Sequence, residues 1–374
     1  MKIFHICSYY SSSAIYKKLF SEMSKHPVKQ YIFFPTHKKR SCNDFDMLNN
    51  CKIICHKSYR YFDRFFYVTK INKIYKGFLQ ELGTKLNGKC LFHAHSLFIN
   101  GAVAFKLKKK TNINYVVAVR STDVKVFFKY LFFLRSFGIN ILMDASKIIF
   151  ISHVYRDLVL KNYVSDKDRK IILDKCVVIP NGIDGFWHEN SLDIKEYSMK
   201  SPIKVLYVGQ FIKRKNSLKL IKSITALKDD GIDISLMIVG DGQGIYNKII
   251  KMNSKYKSYI EVIPWVSSKN ELLKLYRSAD IFALPSDDET FGLVYIEAIS
   301  QGLPILYVIN EGIDGYFKNE EVGVKIKTNV DDITLGIRQI LENYKDLKPI
   351  NKENLSRFKW YDISKNYMDI YLCN

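Results

Sequence analysis

The sequence lacks a long hydrophobic run. No stretch of about 18 or more uncharged apolar residues occurs in its 374 positions, so it contains no candidate for a membrane-spanning helix. The opening segment MKIFHICSYY has an apolar run of only five residues after its lysine, which is too short for a secretion signal. We therefore expect a cytoplasmic protein. Peripheral binding to the inner face of the cell membrane stays open.

The chain also lacks a cysteine framework. Its seven cysteines are odd in number and most lie within apolar runs, as reduced thiols of a cytosolic protein do. Cys51 and Cys55 in CKIICH have no second Cys/His pair at ligand spacing, so strand positions explain them better than a metal does. The sequence predicts no disulfides and no metal site.

Acidic residues are scarce. Asp and Glu number 37 against 58 Lys and Arg, which gives a net charge of +21. Such a charge suits a polyanionic partner: nucleic acid, an anionic membrane or a phosphorylated substrate. Only 11 of the basic residues are Arg, and a lysine-rich composition can also arise from codon bias. A non-enzymatic basic protein that binds membrane or nucleic acid remains an alternative at this point.

Short Val- and Ile-rich runs alternate with helical patterns along the chain. This pattern predicts two α/β domains, each a doubly wound, Rossmann-like parallel sheet, with a cleft between them. The expected strands are KIFHICS, QYIFFPT, CKIICH, CLFHAH, YVVAVRS, KIIFIS and CVVIP, then KVLYVG, ISLMIVG, YIEVIP, DIFALPS and PILYVI.

The predicted first domain covers residues 1–187 and ends after IPNGID, where Asn181-Gly182 signals a turn before a polar linker. The second covers residues 200–350. A final amphipathic helix, 358–374, carries Trp360, Ile363 and Tyr367 at the spacing of one buried face, and we expect it to pack back on the first domain.

The stretch ETFGLVYIE holds two carboxylates, Glu289 and Glu297, at a predicted loop and helix start. The backbone N–H groups of Gly292 and Leu293 would point out of that helix start and favour an anion. A carboxylate would repel a bound anion, so each glutamate is better suited to bind hydroxyl groups attached to that anion. A phosphate flanked by two polyols describes a nucleotide sugar, although a solvated loop acid and a helix-surface acid would give the same spacing.

Three neighbouring loops strengthen that interpretation. VGQFIKRKN places Lys213, Arg214 and Lys215 before a helix that Asn216 or Ser217 would cap, as a clamp on a diphosphate would require. MIVGDGQG lacks the complete dinucleotide fingerprint and is weak evidence by itself. The loop backbone at Trp265 and Val266 could flank a planar base.

In this order, the segments VGQFIKRKN, IVGDG, IPWVSSKNELLKLYRSADIFALPS and ETFGLVYIEAISQGLP resemble the donor-binding half of the retaining glycosyltransferases of the GT-B fold. This large family has an E-x7-E signature and includes bacterial capsule and lipopolysaccharide enzymes. The resemblance covers nearly the whole chain, with IPNGID similar to the domain junction and HAHSLFINGAVA and VVAVRSTDV to acceptor-half segments.

The resemblance implies that Glu289 holds the transferred sugar, Glu297 the ribose, and Lys215 the leaving diphosphate. Donor-binding positions would be Gln210, Arg214, Lys215, Trp265, Val266, Glu289, Thr290, Phe291, Gly292, Leu293 and Glu297. The family usually has an arginine where this chain has Gln210, so Arg214 or Lys213 would have to replace it.

In the first domain the family often has a histidine where this chain has Arg120. Because its guanidinium stays protonated, Arg120 could bind a phosphate or carboxylate but could not act as a general base. An ion pair with Asp123 is the structural alternative. Acceptor-side candidates are Ser11, Ser12, His95 and Asp123. We expect His93 and His95 to project to opposite faces of one strand, and a core histidine is as good an interpretation of His95 as an acceptor contact.

The resemblance implies a retaining, metal-independent glycosyltransferase of hexosyl type, with catalytic residues Glu289, Lys215 and Arg120. It would use a UDP- or GDP-sugar, without a cofactor, and a glycan or lipid-linked acceptor in surface polysaccharide synthesis. Asp44-Phe-Asp46 follows a polar segment rather than a strand, so it is not expected to hold a metal. The ordered donor loops argue against a nucleic-acid partner. A nucleotide-sugar epimerase of the same fold is a second alternative.

Overall fold

The structure, a computed structural model, describes residues 1–38, 50–192, 201–256, 258–317, 322–347 and 355–373. The chain divides into two units. The first comprises Met1–Asn181 together with Trp360–Asn374, and the second comprises Gly182–Lys359. The first unit's main segment therefore ends before residue 187, and the chain passes between the units twice.

The first unit is built on a seven-stranded sheet with the order β3-β2-β1-β4-β5-β6-β7, and all of its strand pairs are parallel. Its strands are β1 Lys2–Ile6, β2 Lys29–Thr36, β3 Cys51–Lys57, β4 Cys90–Ala94, β5 Tyr115–Val119, β6 Lys147–Phe150 and β7 Cys176–Val178. Its helices are α1 Ala14–Met23, α2 Tyr67–Leu82, α3 Ala102–Thr111, α4 Arg135–Asp144, α5 His153–Asn162, α6 Asp166–Leu173 and the C-terminal α13 Trp360–Leu372.

Burial explains why these strands are continuous apolar runs. All five residues of β5, YVVAV, are buried, as expected for a central parallel strand with helices on both faces. The strand order reverses between β1 and β4, where His5 lies directly opposite His93. Ligands of open α/β sheets bind beyond the carboxyl ends of the strands at such a switch point.

The C-terminal helix α13 completes the core of the first unit. Its buried face, which includes Trp360, Ile363 and Tyr367, joins side chains of β1 and α1 in one apolar cluster. The spacing of these residues in the sequence is that of a single helix face. His26 also bonds Ser364, with 2.8 Å between its Nε2 and the serine Oγ.

The second unit contains a six-stranded parallel sheet with the order β10-β9-β8-β11-β12-β13. Its strands are β8 Ile203–Val208, β9 Ile234–Val239, β10 Ile260–Ile263, β11 Ile281–Ala283, β12 Ile305–Val308 and β13 Gly323–Ile326. Its helices are α7 Gly185–Glu189, α8 Ser217–Asp229, α9 Gln243–Tyr256, α10 Lys269–Ser278, α11 Leu293–Ser300 and α12 Val330–Glu342.

The predicted architecture is confirmed: both units are doubly wound α/β sheets. The sequence analysis missed β13, whose short GVKI run is only partly buried at the sheet edge. Within the described ranges, no helix combines the length and the apolar character needed to cross a bilayer.

Candidate functional site

In the second unit the predicted donor loops meet at the switch point of the sheet. The strand order reverses between β8 and β11, which are paired neighbours. The loop after β8 carries the cationic segment 213–215, and the loop after β11 carries Glu289. Because parallel strands end at the same edge, both loops lie at the position where open α/β sheets bind ligands.

Lys215 and Glu289 form an ion pair across this switch point, from the lysine Nζ to the glutamate Oε2. Their side chains are only 12% and 13% exposed, so this is not an ordinary surface pair. Burial first, and then the negative charge of Glu289, raise the pKa values of Tyr207 and Tyr295 well above the ordinary tyrosine value. Both hydroxyls therefore remain neutral hydrogen-bond donors beside the pair.

Asn216 fastens the two loops to each other. It ends the 3-10 turn Lys213–Lys215 in the left-handed region, with φ +52°. Its side-chain Nδ2 donates to the Pro285 carbonyl and to Asp287 Oδ2, each at 2.8 Å. The Asp287 N–H in turn donates to the Arg214 carbonyl at 2.7 Å. These bonds fix the loop that carries Lys215 relative to the loop that carries Glu289.

The glycines of MIVGDGQG have a packing role in this arrangement. Gly240 and Gly242 have φ +158° and +149°, and a Cβ at these positions would lie 2.0 Å from the Gly209 carbonyl oxygen and 2.6 Å from that of Phe211. The loop after β9 therefore presses directly on the loop after β8. Close backbone approach explains these glycines without a nucleotide.

The start of α11 needs Gly292. This residue caps the helix at φ +81°, and an added Cβ would lie 2.4 Å from Tyr295 Cδ2. Leu293 is the first helical residue, so its N–H is among those that the helix itself leaves without an internal partner. The Phe291 side chain is buried against Tyr316, so Phe291 can offer a ligand only its backbone.

Glu297 lies on α11, half-buried beside the neighbouring helix α10. The Tyr276 hydroxyl donates to Glu297 Oε2 at 3.2 Å. The Tyr276 ring packs edge-on against the buried Trp187 of α7, with 5.4 Å between the ring centroids. Glu297 is thus oriented by an aromatic pair that the sequence analysis did not single out.

The other predicted donor residues lie around this centre with different exposures. Gln210 is exposed, and its carbonyl accepts from the Tyr207 hydroxyl at 3.0 Å. Lys213 and Arg214 are also exposed, beside a cavity of about 490 Å³ between the loops after β8 and β11. Thr290 is half-buried next to Glu289.

Trp265 and Val266 belong to the loop after the edge strand β10. Trp265 is 55% exposed and Val266 is half-buried. Because β9 separates β10 from β8, this loop lies about 10 Å across the sheet from the cationic turn. A ligand that touched both loops would have to be as long as a nucleotide.

In the first unit, Arg120 and Asp123 follow β5. Asp123 is buried, and its carboxylate accepts from the backbone N–H groups of Arg120, Leu97 and Phe98 at 2.9, 3.0 and 3.1 Å. Burial raises the pKa of Asp123 to about 6, against the opposing effect of these bonds. The Asp123 carboxylate thus contacts the backbone N–H of Arg120 rather than its guanidinium group. The acceptor-side role of Asp123 stays a prediction.

The Arg120 side chain is held by aromatic and carbonyl groups. Its Nε donates to the His95 carbonyl at 3.4 Å, and its guanidinium lies 5.7 Å from the centre of the Tyr16 ring. Burial acts to lower the pKa of Arg120, but Tyr16 and then Tyr367 of α13 outweigh it and the net shift is upward. Arg120 is therefore a fixed cation.

The prediction that His93 and His95 face opposite sides is wrong. Residues two apart in a strand point to the same face, and the ring centroids of His93 and His95, at the end of β4, lie 3.9 Å apart. Both residues are fully buried with His5, whose Nδ1 lies 3.1 Å from His95 Nε2. His93 Nδ1 lies 2.6 Å from the Tyr371 hydroxyl. His95 is therefore a core histidine, which was the alternative interpretation in the sequence analysis.

Nitrogens of these three imidazoles lie within 4.8 Å of one another, a grouping that could hold a metal ion and that the sequence analysis did not anticipate. Burial lowers the pKa values of all three residues, which are therefore neutral. Ser11 and Ser12 lie in a 3-10 turn, Tyr10–Ser12, soon after β1. Asp44 and Asp46 lie outside the described residues.

Residues 190–357, which fall within the second unit, match the family model described as "Glycosyl transferases group 1". The matched region is similar to the group 1 glycosyltransferases and covers less than half of the chain. The matched region contains both loops of the switch point, with Lys215, Glu289 and Glu297.

Two curated proteins illustrate the relatives of this chain. A probable sucrose-phosphate synthase of Thermosipho melanesiensis is 26% identical over 288 residues, which are 75% of this chain and 63% of that protein. An uncharacterized 41.2 kDa protein in the cps region of Klebsiella pneumoniae is 28% identical over 311 residues, 77% of this chain and 80% of that protein. The chain thus spans less than two thirds of the first relative.

Solved structures agree on the fold. The crystal structure of Anabaena Alr3699/HepE in complex with UDP has a TM-score of 0.72, with 12% identity over the full length of both chains. At that identity the likeness supports the GT-B fold alone. Asn216, Tyr276 and Tyr367 remain the site residues that the sequence analysis did not assign, although Asn216 was visible as a helix cap and Tyr367 as part of a buried helix face.

Proposed function

We propose that this glycosyltransferase moves a hexosyl group, with retention of anomeric configuration, from a UDP- or GDP-sugar to a glycan acceptor of bacterial surface polysaccharide. The observation that carries the proposal is the Lys215–Glu289 pair at the switch point of the second sheet. It sets a cation and a polyol-binding acid side by side, as a sugar joined to a diphosphate requires.

In this proposal Lys215 and the backbone of Gly292 and Leu293 bind the diphosphate, and Glu289 binds hydroxyls of the transferred sugar. Glu297, oriented by Tyr276, binds the ribose. The bond that breaks joins the anomeric carbon to the diphosphate, so negative charge grows on the leaving group. A cation and helix amides fixed before the reaction stabilise that charge without further reorganisation.

Retention follows in this scheme if the acceptor attacks from the face that the diphosphate leaves, with the departing phosphate taking the acceptor proton. Glu289 then needs no nucleophilic role, since its partner is Lys215 rather than a second carboxylate. Arg120 cannot accept a proton, so we assign it to binding an anionic group of donor or acceptor.

We propose a lipid-carried acceptor, which would place the reaction at the inner face of the membrane. The relative encoded in a cps region supports surface polysaccharide as the product class. The bond between Glu289 and Lys215 also supports independence from a metal, because the lysine supplies the positive charge beside the leaving group that a divalent cation would otherwise bring.

The test begins with a panel of nucleotides and nucleotide sugars, scored by thermal stabilisation and then by transfer. The correct donor at about 100 times its Kd should stabilise the protein by about 2.7 kcal/mol. The anomeric configuration of the product, read by NMR, decides between retention and inversion, and activity in EDTA decides on the metal. No stabilisation by any nucleotide would favour a basic scaffold, and turnover without an acceptor would favour an epimerase.

A further inference from the structure

Exposed apolar side chains are concentrated in two segments of the first unit. Of the seventeen large hydrophobic residues exposed in the described part of the chain, nine lie within residues 61–68 and 126–133. They are 44–72% exposed, and we call them the aromatic surface: Tyr61, Phe62, Phe65, Phe66, Val68, Val126, Tyr130, Phe132 and Phe133. Single exposed hydrophobics are ordinary, but a concentration of this kind marks an interaction site.

The two segments are neighbours in space as well. Tyr67, between Phe66 and Val68, packs its ring 6.3 Å from Phe127 and 6.4 Å from Phe137, measured between centroids. Its hydroxyl donates to the Phe98 carbonyl at 2.5 Å. The half-buried Tyr67 therefore joins segment 61–68 to segment 126–133.

The aromatic surface is anchored. Asp63, buried at the centre of the 3-10 turn Tyr61–Phe65, accepts from the Arg60 N–H at 2.6 Å and from Lys73 of α2 at 2.7 and 2.8 Å. These bonds, led by the one from Lys73, lower the pKa of Asp63 and keep it ionised. The hydrogen bonds of Asp63 thus hold in place the turn that carries the exposed rings.

The charge around the rings is positive. Residues 57–76 contain six Lys or Arg and a single acid, Asp63, which is already paired with Lys73. Lys57, Arg60 and Lys129 are exposed beside the apolar side chains, and the Lys129 ammonium lies 5.3 Å from the centre of the Tyr130 ring. Lipid headgroups and acyl chains complement such a mixture of cations and aromatic rings.

We propose that the aromatic surface docks the first unit on an anionic bilayer, with its rings at headgroup depth and Lys57, Arg60 and Lys129 on lipid phosphates. Five of its nine members are Phe, whose rings suit the boundary between headgroups and acyl chains while the neighbouring cations meet lipid phosphates, and on this combination we assign the surface to a bilayer. This inference deepens the proposed function. It rests on that function in one respect: a lipid-carried acceptor is the reason for the protein to bind a membrane.

The experiment measures co-sedimentation of the full chain with phosphatidylcholine vesicles, with and without phosphatidylglycerol. The variant Phe62→Ser/Phe66→Ser/Phe132→Ser/Phe133→Ser should lower the partition coefficient at least about 100-fold, since each ring lost from the interface costs on the order of 5-fold. Lys57→Gln/Arg60→Gln/Lys129→Gln should cost about 5-fold per charge and remove the preference for phosphatidylglycerol.

Ile171→Ser/Leu335→Ser is the matched control, because those side chains are 46% and 54% exposed but lie outside the aromatic surface. It should bind vesicles like the wild type. Unchanged thermal unfolding of the ring variant would confirm that it is folded. Wild-type protein that ignores anionic vesicles, or a ring variant that binds them normally, would overturn the inference.

Docking and catalysis can fail separately. If docking is right, the ring variant keeps transfer to a water-soluble acceptor and loses transfer to an acceptor lipid in vesicles. Normal transfer to both acceptors by the ring variant would refute docking and leave the proposed function standing. Vesicle binding that depends on the rings, in a protein that transfers no sugar from any donor, would support docking and refute the proposed function.

Discussion

Replacing Lys215 separates its catalytic role from its structural one, because its partner Glu289 is mostly out of water. In Lys215→Met the ammonium is lost and Glu289 is left as an uncompensated carboxylate with 13% exposure. A broken hydrogen bond to a charged group should cost about 1.5–3 kcal/mol of the free energy of unfolding. For a unit of this size that corresponds to a fall in Tm on the order of 5 °C.

The effect on rate should be larger than the effect on stability. If Lys215 stabilises the departing diphosphate, kcat in Lys215→Met should fall about 100- to 1,000-fold, or about 2.7–4 kcal/mol of transition-state free energy. The double variant Lys215→Met/Glu289→Gln removes both charges. Its Tm should return towards the wild-type value while its kcat stays low.

Initial-rate transfer assays and thermal unfolding of the three proteins give both quantities. The exposed ion pair Lys228–Asp233 is a matched control, since Lys228→Met should change stability by less than about 1 kcal/mol and leave kcat unaltered. Near-normal turnover in Lys215→Met would refute the assignment. So would a double variant that regains activity along with stability, because Lys215 would then serve only to neutralise Glu289.

Three further outcomes are expected. Glu297→Gln should raise the donor KM about 10-fold through loss of a charged hydrogen bond, with a smaller rise for Tyr276→Phe, and a changed kcat at unchanged KM would contradict a ribose contact. Asn216→Ala should lower both Tm and kcat by untying the two loops, whereas Asn112→Ala, with a similar φ of +58° at the end of α3, should lower Tm alone. The pKa of His5 is lowered to about 3 by burial, so its stabilising effect is complete above the unfolded value of 6.5 and is lost as pH falls from 6.5 towards 3. The free energy of unfolding, measured with denaturant, should therefore fall by about 1.4 kcal/mol per pH unit below 6.5 for each buried imidazole. In His5→Gln the free energy of unfolding should fall less steeply with pH.

The sequence was sufficient to bring the predicted donor loops to one edge of the sheet because their side chains follow strands. Glu289 and Lys215 are 74 positions apart, yet each lies in the loop that follows a strand, and the two strands are neighbours at the sheet's switch point. An alternation of apolar runs with helices fixes that arrangement without knowledge of any side-chain contact. Twelve of the thirteen strands were recognisable for the same reason, and β13 escaped because half of its short run is not buried.

The alternation of apolar runs and helices does not predict which side chains contact each other. Strand alternation puts His93 and His95 on one face, contrary to our prediction, but it does not show that both rings meet His5 in the core. Asn216 looked like a cap, and only the folded loops show that its amide reaches Pro285. Contacts between residues distant in sequence depend on loop geometry, which composition and spacing do not encode.

The position of α13 has a consequence for biosynthesis. Trp360–Leu372 belongs to the core of the first unit, yet a ribosome makes it only after the whole second unit. The ribosome must therefore add 278 more residues after His93 before its partner Tyr371 exists. We expect the second unit to reach its native state first on the nascent chain, reversing the usual order in which the N-terminal domain matures before its successor.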